Sequence, residues 1–174
     1  MKIWLVTSGE PIPSDKERPH RTGILSEILS KSGNDVVWWT TNFDHQKKIF
    51  LYETTTEEFV NKNLKRIYLS SKTPYKKNVS LKRIINHYEI GKSFKNESKI
   101  NLPPDLIYCS FPTIDLAYEA VKYGIKNNIP VVIDIRDLWP DIFLLPFIKP
   151  LRYIIRLCLI PLFIMSVSSC ISPE

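Results

Sequence analysis

The chain of 174 residues is 44% hydrophobic, which suits one domain with a sizeable core and excludes both a disordered chain and a second domain of ordinary size. Its formal net charge of +6 is concentrated between residues 65 and 99, where ten Lys or Arg and two Glu give a local +8. This basic region predicts either an anionic partner, such as a phosphate, a diphosphate, a nucleic acid or an acidic lipid surface, or a solvated helix face.

The first forty residues predict a β-loop-α-β unit, which opens a doubly wound α/β fold. Its strand, Pro-rich loop, helix and second strand are expected over residues 2–7, 8–20, 21–32 and 36–40. The helix places four apolar residues on one face: Ile24, Leu25, Ile28 and Leu29. Gly33 follows the helix as a C-terminal cap. The first loop holds Gly9 but neither G-x-G-x-x-G nor G-x-x-x-x-G-K, which argues against a dinucleotide-binding domain and a Walker loop.

A polar connection and a basic helix make up the middle of the chain. We expect a short helix around residues 57–63, a third strand over 66–69 and a longer helix over 81–95. The apolar stripe of the longer helix consists of Leu81, Ile84, Ile85, Tyr88 and Phe94. Polar and basic residues fall elsewhere on the helix and form a rim beside this stripe: Lys82, Arg83, Asn86 and His87.

Residues 105–135 predict a β-α-β crossover, with strands over 105–110 and 131–135 around a helix over 114–127. We expect the two strands to be parallel and the crossover to be right-handed. Because residues 131–135 form an almost continuous β-branched run, the second strand is expected to be buried on both faces.

A dense polar cluster follows that last strand. Asp134 interrupts the apolar run, and Pro140 prevents the turn from continuing as a regular element. The charged and aromatic residues of the turn are Arg136, Asp137, Trp139 and Asp141. Since ligands of open α/β sheets bind outside the carboxyl ends of the strands, the cluster predicts a ligand site. The alternative is an ion-paired strand end without a ligand.

Residues 142–165 are strongly apolar but are interrupted by prolines and by Lys149, Arg152 and Arg156. The apolar run after Arg156 has nine residues, against the roughly 18 to 20 that a membrane span needs, so no span is expected. The three charges share one helical face, which favours either a helix lying in a membrane interface or a helix between this domain and another. A short final strand is expected over residues 166–172.

The cysteines and the N-terminus bear on the cellular compartment. Three cysteines, Cys109, Cys158 and Cys170, lie far apart without a C-x-x-C pair or a neighbouring His, as is typical of buried free thiols in a reducing compartment, and no metal site is expected. The apolar run before Thr7 is too short for the core of a signal peptide. We therefore expect a cytoplasmic protein, and the membrane-interface interpretation of residues 142–165 places it on the inner face of the cytoplasmic membrane.

Four blocks of the sequence follow known patterns. Residues 20–40 are similar to an R-T-G-x-L-x-x-x-L helix that leads to a G-H-E-V-T-W-W-T type strand, and Asn42-Phe-Asp-His45 follows that strand. Residues 75–87 are similar to a Y-x-x-N-x-S-x-x-R-x-x-x-H block, and residues 130–141 match the more specific signature P-V-V-x-D-x-R-D-L-W-P-D. Together the blocks resemble the N-terminal half of GT-B-fold glycosyltransferases of family four, especially bacterial enzymes that build surface polysaccharides on a lipid carrier.

The resemblance implies a single Rossmann-like domain over residues 1–174, with a mostly parallel sheet flanked by helices. In such enzymes two Rossmann-like domains face a cleft, and the first binds mainly the acceptor while the second binds the nucleotide-sugar. The donor-binding domain with its E-x7-E motif is therefore expected outside this chain, which would be truncated or paired with a separate subunit. No cofactor is implied beyond the nucleotide-sugar as co-substrate. Many relatives have a His near the reacting centre after the fourth strand, but here that place is Ser110-Phe-Pro112, so no catalytic His is assigned.

Residue roles follow from the resemblance as hypotheses. Asp137 is expected to accept a hydrogen bond from the acceptor hydroxyl at the reacting centre, with Arg136 orienting it or binding phosphate. Trp139 either stacks on a sugar or locks the turn as a buried side chain. A second ring is expected to shape the acceptor pocket, with a surface or core imidazole as the alternative for each His: Asp44, His45, Asn78, Arg83 and His87. The first loop, with Gly9 and Glu10, is expected to approach the donor.

The function implied is that of the acceptor-binding half of a retaining glycosyltransferase in O-antigen or capsule synthesis, inactive without its donor-binding half. A lipid-linked acceptor, in particular a lipid diphosphate, would connect the basic region with the apolar segment 142–165 at a membrane surface; a glycan acceptor is also open. The alternative is a non-catalytic scaffold subunit that presents the acceptor to a separate donor-binding protein. Nucleic acid is not expected as a partner, because the basic region lacks an exposed aromatic series and a recognised reader motif.

Overall fold

A computed structural model describes residues 1–12, 18–78, 80–111 and 113–136, and over these residues the chain is mixed α/β. The predictions that concern Asp137, Trp139, Asp141, the segment 142–165 and the strand over 166–172 lie outside the described residues. In chain order, the elements are β1 (Lys2–Val6), α1 (Arg21–Lys31), β2 (Asp35–Thr41), β3 (Phe43–Asp44), β4 (Ile49–Phe50), β5 (Thr56–Asn61), β6 (Leu64–Leu69), α2 (Leu81–Glu97), β7 (Leu106–Phe111), α3 (Ile114–Asn127) and β8 (Val131–Ile135).

A six-stranded sheet organises the domain, with the strand order β5-β6-β2-β1-β7-β8. All neighbouring pairs in it are parallel except β5 and β6, while β3 and β4 form a separate antiparallel pair. After β1 the chain proceeds to β2 on one side, and β7 lies on the other side, so the strand order reverses between β1 and β7. This mostly parallel, helix-flanked sheet has the architecture of a Rossmann-like domain, and a crevice is expected at the carboxyl ends of the two strands where the order reverses.

The main core lies between the sheet and the helix pair α2 and α3. Trp4 and Trp39, both fully buried, meet edge to face with ring centroids 4.8 Å apart, and Phe94 of α2 lies 5.1 Å from Trp39 in the same manner. Edge-to-face contacts place the positive ring edge on the negative ring face and add to the burial energy of the rings. A second, smaller core beneath α1 includes Leu5 and Trp38.

Several predicted elements are confirmed with small changes in their ends. The structure bears out the strand at the N-terminus, the helix beginning at Arg21, the strand before residue 70, the helix over 114–127 and the parallel strand over 131–135. Gly33 has a φ of +83°, and its N–H donates a hydrogen bond to the carbonyl of Ser30, as expected of a residue that ends a helix. Cys109 is a buried free thiol, and burial raises its pKa to about 12.

The predicted helix around residues 57–63 is wrong, because this segment forms β5 and the turn into β6. Thr56, Phe59 and Val60 favour extended structure, and the backbone groups of β5 find partners on the edge of β6. A bulge occurs between Phe59 and Asn61, and Glu58 accepts hydrogen bonds from Arg66 and Tyr68 on the neighbouring strand. Cross-strand pairing therefore overrides the local pattern that suggested a helix.

The predicted apolar stripe of α2 is also wrong in most of its members. Leu81 and Tyr88 are 78% and 59% exposed, and Ile84 and Ile85 are exposed as well. The buried face instead consists of Asn86, His87, Ile90, Gly91 and Phe94. A Cβ on Gly91 would lie 3.0 Å from the backbone of Asp115, so glycine allows α3 to approach closely. The hydrogen bonds of buried Asn86 and the close approach at Gly91 therefore turn a different face of α2 toward the core than the apolar period predicts.

Two smaller expectations of burial fail in the same way. On α1, Leu25 and Leu29 pack on the sheet, but Ile24 and Ile28 of the predicted face are exposed, and the helix rests on Thr22, Gly23, Ser26 and Ser30. On β8, Val132 and Ile135 are 47% and 53% exposed, so the strand is not buried on both faces. In the part of the chain that the structure describes, β8 pairs with β7 on one side and forms that edge of the sheet. No helix within the same residues is long and apolar enough to cross a membrane.

Candidate ligand site at the carboxyl edge of the sheet

A cavity of about 160 Å³ opens at the carboxyl ends of β1 and β2. It lies where the strand order reverses, and the hydroxyl groups of Ser8, after β1, and Thr113, after β7, hydrogen-bond to each other there. The residues that matter most for its chemistry are Ser8, Gly9, His45, Tyr75, Arg83 and His87. We name this cavity the His45–Arg83 pocket. Its position is the one at which open α/β sheets bind ligands.

Three buried polar residues hold the loops that form the pocket. The side-chain carbonyl of Asn42, after β2, accepts hydrogen bonds at 3.0 Å from both the N–H and the hydroxyl of Ser71. The amide of Asn86 on α2 donates to the hydroxyl of Ser71 at 2.9 Å and to the carbonyl of Thr73 at 2.8 Å. The ends of β2, β6 and α2 are thereby joined, and Tyr75 is brought over the pocket. Burial of these amides is compatible with stability because their hydrogen bonds are made.

Arg83 and His87 form a pair one turn apart on α2. The Nε–H of Arg83 donates to Nε2 of His87 at 3.3 Å, and its Nη1 donates to the carbonyl of Asn78 at 2.7 Å. Because an arginine cannot accept, the imidazole must be neutral with its proton on Nδ1. Burial, together with the charge of Arg83 and the nearby His45, lowers the pKa of His87 to about 3.

His45 joins the pocket from the turn after β3. Its Nδ1 lies 2.7 Å from the hydroxyl of Tyr75 and 3.4 Å from Nζ of Lys48, and Lys48 also donates to the side-chain carbonyl of Asn78 at 3.0 Å. Lysine is only a donor, so Nδ1 is the acceptor and the ring proton of neutral His45 lies on Nε2. Burial lowers the pKa of His45, and the charges of Lys48 and Arg83 lower it further, against the opposing effect of Asp44.

A second polar cluster surrounds Arg136 at the end of β8. Its Nε donates to Asp134 at 2.8 Å, its Nη1 pairs with Glu10, and its Nη2 donates to the hydroxyls of Ser110 at 2.8 Å and Thr22 at 3.2 Å. The Glu10 side chain is only 5% exposed. We name this cluster the Arg136 network. It ties the last described strand to the loop after β1 and to the start of α1.

Asp134 is the second carboxylate of the Arg136 network. Arg21 on α1 binds it through Nη1 at 2.7 and 2.8 Å. Burial acts to raise the pKa of Asp134, but hydrogen bonds from Arg136, Tyr108 and Arg21 outweigh it and the pKa is lowered. Asp134 is therefore ionised at neutral pH, and the end of β8 is an ion-paired strand end. The proposed role of Arg136 toward an acceptor stays a prediction.

The structure brings some predicted site residues together and separates others. His45, Arg83 and His87 line one pocket. Asn78 accepts hydrogen bonds from Lys48 and Arg83 beside it. Gly9 borders the pocket with a φ of +78°, a conformation that favours glycine. Asp44 instead accepts from the N–H groups of Gln46 and Lys47 and stabilises the turn. Lys149, Arg152 and Arg156, like Asp137 and Trp139, lie outside the described residues.

Sequence reasoning missed Lys48, Tyr75 and Thr113 as site residues. Tyr75 begins one of the four matched blocks, so its position there was the signal that could have found it. No pattern in the sequence singles out Lys48 or Thr113. Within the described residues no cluster of His, Cys, Asp and Glu could hold a metal ion.

The buried neutral state of His87 predicts a loss of stability in acid. Its pKa is 6.5 in the ordinary state and about 3 in the fold, so the unfolded chain binds a proton between these values that the folded chain does not. Above pH 6.5 the neutral state of His87 costs the folded chain nothing. Between pH 6.5 and pH 3 the free energy of unfolding falls as the pH falls, by at most about 1.4 kcal/mol per pH unit. Urea unfolding of the chain and of His87→Gln, which keeps an acceptor for Arg83, measures the difference. Equal pH dependence of both proteins would contradict the prediction.

Comparison with known proteins adds no family assignment. No protein-family model matches the chain, and a search of curated proteins gives no match. The fold is shown by the structure itself.

Proposed function

We propose that this chain is the acceptor-binding half of a retaining glycosyltransferase that moves a sugar from a nucleotide-sugar to a lipid-linked or glycan acceptor in surface polysaccharide synthesis. One observation carries the proposal. Two of the sequence blocks that resemble family four, residues 42–45 and 75–87, are 30 residues or more apart and yet converge on the His45–Arg83 pocket. That pocket lies at the edge of a mostly parallel sheet where such folds bind ligands.

The pocket is suited to binding and orientation. Hydroxyl, imidazole and guanidinium groups can donate to or accept from the hydroxyls of a sugar, and none of the described residues that line the pocket is Asp or Glu. Retaining transfer by such enzymes depends on positioning and on stabilising the departing nucleoside diphosphate. We assign the nucleotide-sugar to a donor-binding domain, on the same polypeptide or a separate subunit, and the acceptor hydroxyl to Asp137.

The Arg136 network acts in this proposal as a positioning element. It fixes the end of β8 against the loop that carries Gly9 and Glu10, and the chain continues from there to Asp137. Arg136 thus holds the acceptor-side wall of the cleft through Glu10 and Asp134. A non-catalytic subunit that only presents an acceptor would use the same pocket, and the absence of a carboxylate among its described lining residues favours it as the second candidate.

Saturation-transfer NMR with hexyl glycosides and with nucleotide-sugars tests the proposal. We expect glycosides to receive saturation from the chain and Tyr75→Phe, which removes the hydroxyl bound to His45, to weaken this transfer. Micromolar binding of a nucleotide-sugar would move the donor site into this chain, and folded protein without glycoside binding would remove the acceptor assignment. Transfer of a labelled sugar after addition of a donor-binding partner distinguishes the enzyme from the scaffold subunit.

A further inference from the structure

Three nitrogen donors from two segments lie close together at the His45–Arg83 pocket: His45 and Arg83 line it, and Lys48 contacts the lining residues His45 and Tyr75. Lys48 and His45 come from the turn between β3 and β4, and Arg83 comes from the first turn of α2. Both cations lie against one ring, with Lys48 Nζ 4.9 Å and Arg83 Cζ 5.9 Å from the centroid of Tyr75. The Nε2–H of neutral His45 adds a third donor, because its Nδ1 accepts from the Tyr75 hydroxyl.

From this convergence we propose that the His45–Arg83 pocket binds a phosphoryl group, supplied by a lipid headgroup or by a soluble sugar phosphate. The inference rests on the proposed function only in taking this pocket as the acceptor site. Binding of the phosphoryl group itself requires no transferase activity.

The charge of the pocket favours a dianion. The described lining residues include no Asp or Glu, and Asp44, next to His45 in the chain, is engaged by two backbone N–H groups and pairs with Lys47. A phosphoryl group offers about two negative charges and three acceptor oxygens, and arginine and lysine bind it through charge-assisted hydrogen bonds. An anion between Lys48 and Arg83 would relieve the repulsion of two cations that share one aromatic ring.

Titration behaviour supports a positive potential in the pocket. Burial and the charge of Arg83 lower the pKa of Lys48. The pKa of His45 is lowered by burial, Lys48 and Arg83, with Asp44 opposing, and His87 faces Arg83 and His45. A bound dianion would favour the protonated form of His45 and raise its pKa.

The size of the pocket is compatible with such a ligand. A volume of about 160 Å³ accommodates one tetrahedral group with its nearest atoms. Two sources of the group fit the surroundings. The outer face of α2 exposes Leu81, Ile85 and Tyr88 beside Lys82, which suits a lipid, whereas the pocket alone suits a soluble sugar phosphate.

Proton NMR of the histidine rings tests the proposal directly, because the chain has three histidines. Inorganic phosphate is titrated into the full chain, and the pH dependence of each ring signal is followed. We expect the pKa of His45 to rise by about one unit at saturation. The signal of exposed His20, outside the pocket, should not respond to phosphate.

Three variants make the test specific. Arg83→Gln and Lys48→Gln should each weaken phosphate binding at least about tenfold, and Lys48→Gln serves if the loss of Arg83 prevents folding. Lys62→Gln removes one positive charge at the opposite edge of the sheet and should bind like the unchanged chain. No response of His45 to millimolar phosphate in folded protein, or the same response in Arg83→Gln and Lys48→Gln, would overturn the proposal.

Two further binding experiments identify the source of the phosphoryl group. Glucose 1-phosphate represents the soluble source, and vesicles of phosphatidic acid in phosphatidylcholine represent the headgroup, with pure phosphatidylcholine as the control. Either probe supports the proposal if its binding requires Arg83 or Lys48, and the one that binds more tightly identifies the source. Phosphate binding without glycoside binding would leave this inference standing and remove the proposed function; glycoside binding without phosphate binding would do the reverse.

Discussion

Replacing Arg136 by methionine is expected to lower the free energy of unfolding by about 3 kcal/mol. The change leaves the carboxylates of Glu10 and Asp134 without the guanidinium that joins them, and the Glu10 side chain is only 5% exposed. Breaking such a pair by removing one partner costs about 3 to 5 kcal/mol, and Asp134 keeps Arg21, which favours the lower value. Urea unfolding at neutral pH, followed by circular dichroism, measures the effect.

Two matched variants show whether the effect comes from the buried charge of Glu10. Arg136→Met combined with Glu10→Gln should recover part of the loss, because the neutral amide costs less to bury than a carboxylate. Arg21→Gln removes an exposed partner of Asp134 and should therefore cost much less than Arg136→Met. Equal losses of unfolding free energy for Arg21→Gln and Arg136→Met would show that the ion pair between Arg136 and the buried Glu10 does not stabilise the fold.

Trp39→Ala is expected to cost about 3 to 5 kcal/mol of unfolding free energy. Trp39 is fully buried and packs edge to face on both Trp4 and Phe94, so its removal creates a cavity between the sheet and α2. The midpoint and slope of urea unfolding give the change, with the slope expected to stay constant.

Trp39→Phe and Phe59→Ala are the controls for this prediction. Phenylalanine keeps an aromatic ring in place, and among the described residues the indole N–H of Trp39 has no hydrogen-bond partner to lose, so the cost should be well below that of alanine. Phe59 is 77% exposed on β5, and its truncation should change stability by less than about 1 kcal/mol. Similar losses for Phe59→Ala and Trp39→Ala would place the core elsewhere.

Much of the fold could be predicted because local patterns and tertiary packing agree in the parallel strands and in α3. They disagree in α2, where Leu81, Ile84 and Ile85 follow the helical period but Asn86 and Gly91 determine the buried face. A buried amide with satisfied hydrogen bonds and a glycine at a helix contact leave no trace in a hydrophobic pattern. The helix prediction for residues 57–63 failed for a related reason. This segment is a strand because it pairs with β6, and the local sequence does not reveal that partner.

The candidate site could be predicted only in part. His45, Arg83 and His87 were grouped through the resemblance of their sequence blocks, and the structure places them in one pocket. Lys48 and Thr113 could not be found, because both reach the site through tertiary structure. Lys48 contacts Tyr75 and Asn78 across the chain, and Thr113 is brought to Ser8 by the pairing of β7 with β1. The ion-paired end of β8 was one of two interpretations that the sequence allowed, and its partner Glu10 lies 126 positions away.

Within the part of the chain that the structure describes, β5 forms one edge of the six-stranded sheet. An exposed edge offers unpaired N–H and C=O groups to any other strand, and Phe59 and Val60 would add an apolar surface for such pairing. The bulge at Phe59 and Asn61 interrupts the regular spacing of those groups, and Glu57 and Lys62 place charges beside them. We therefore expect this irregular, charged edge to disfavour strand addition by a second copy of the chain.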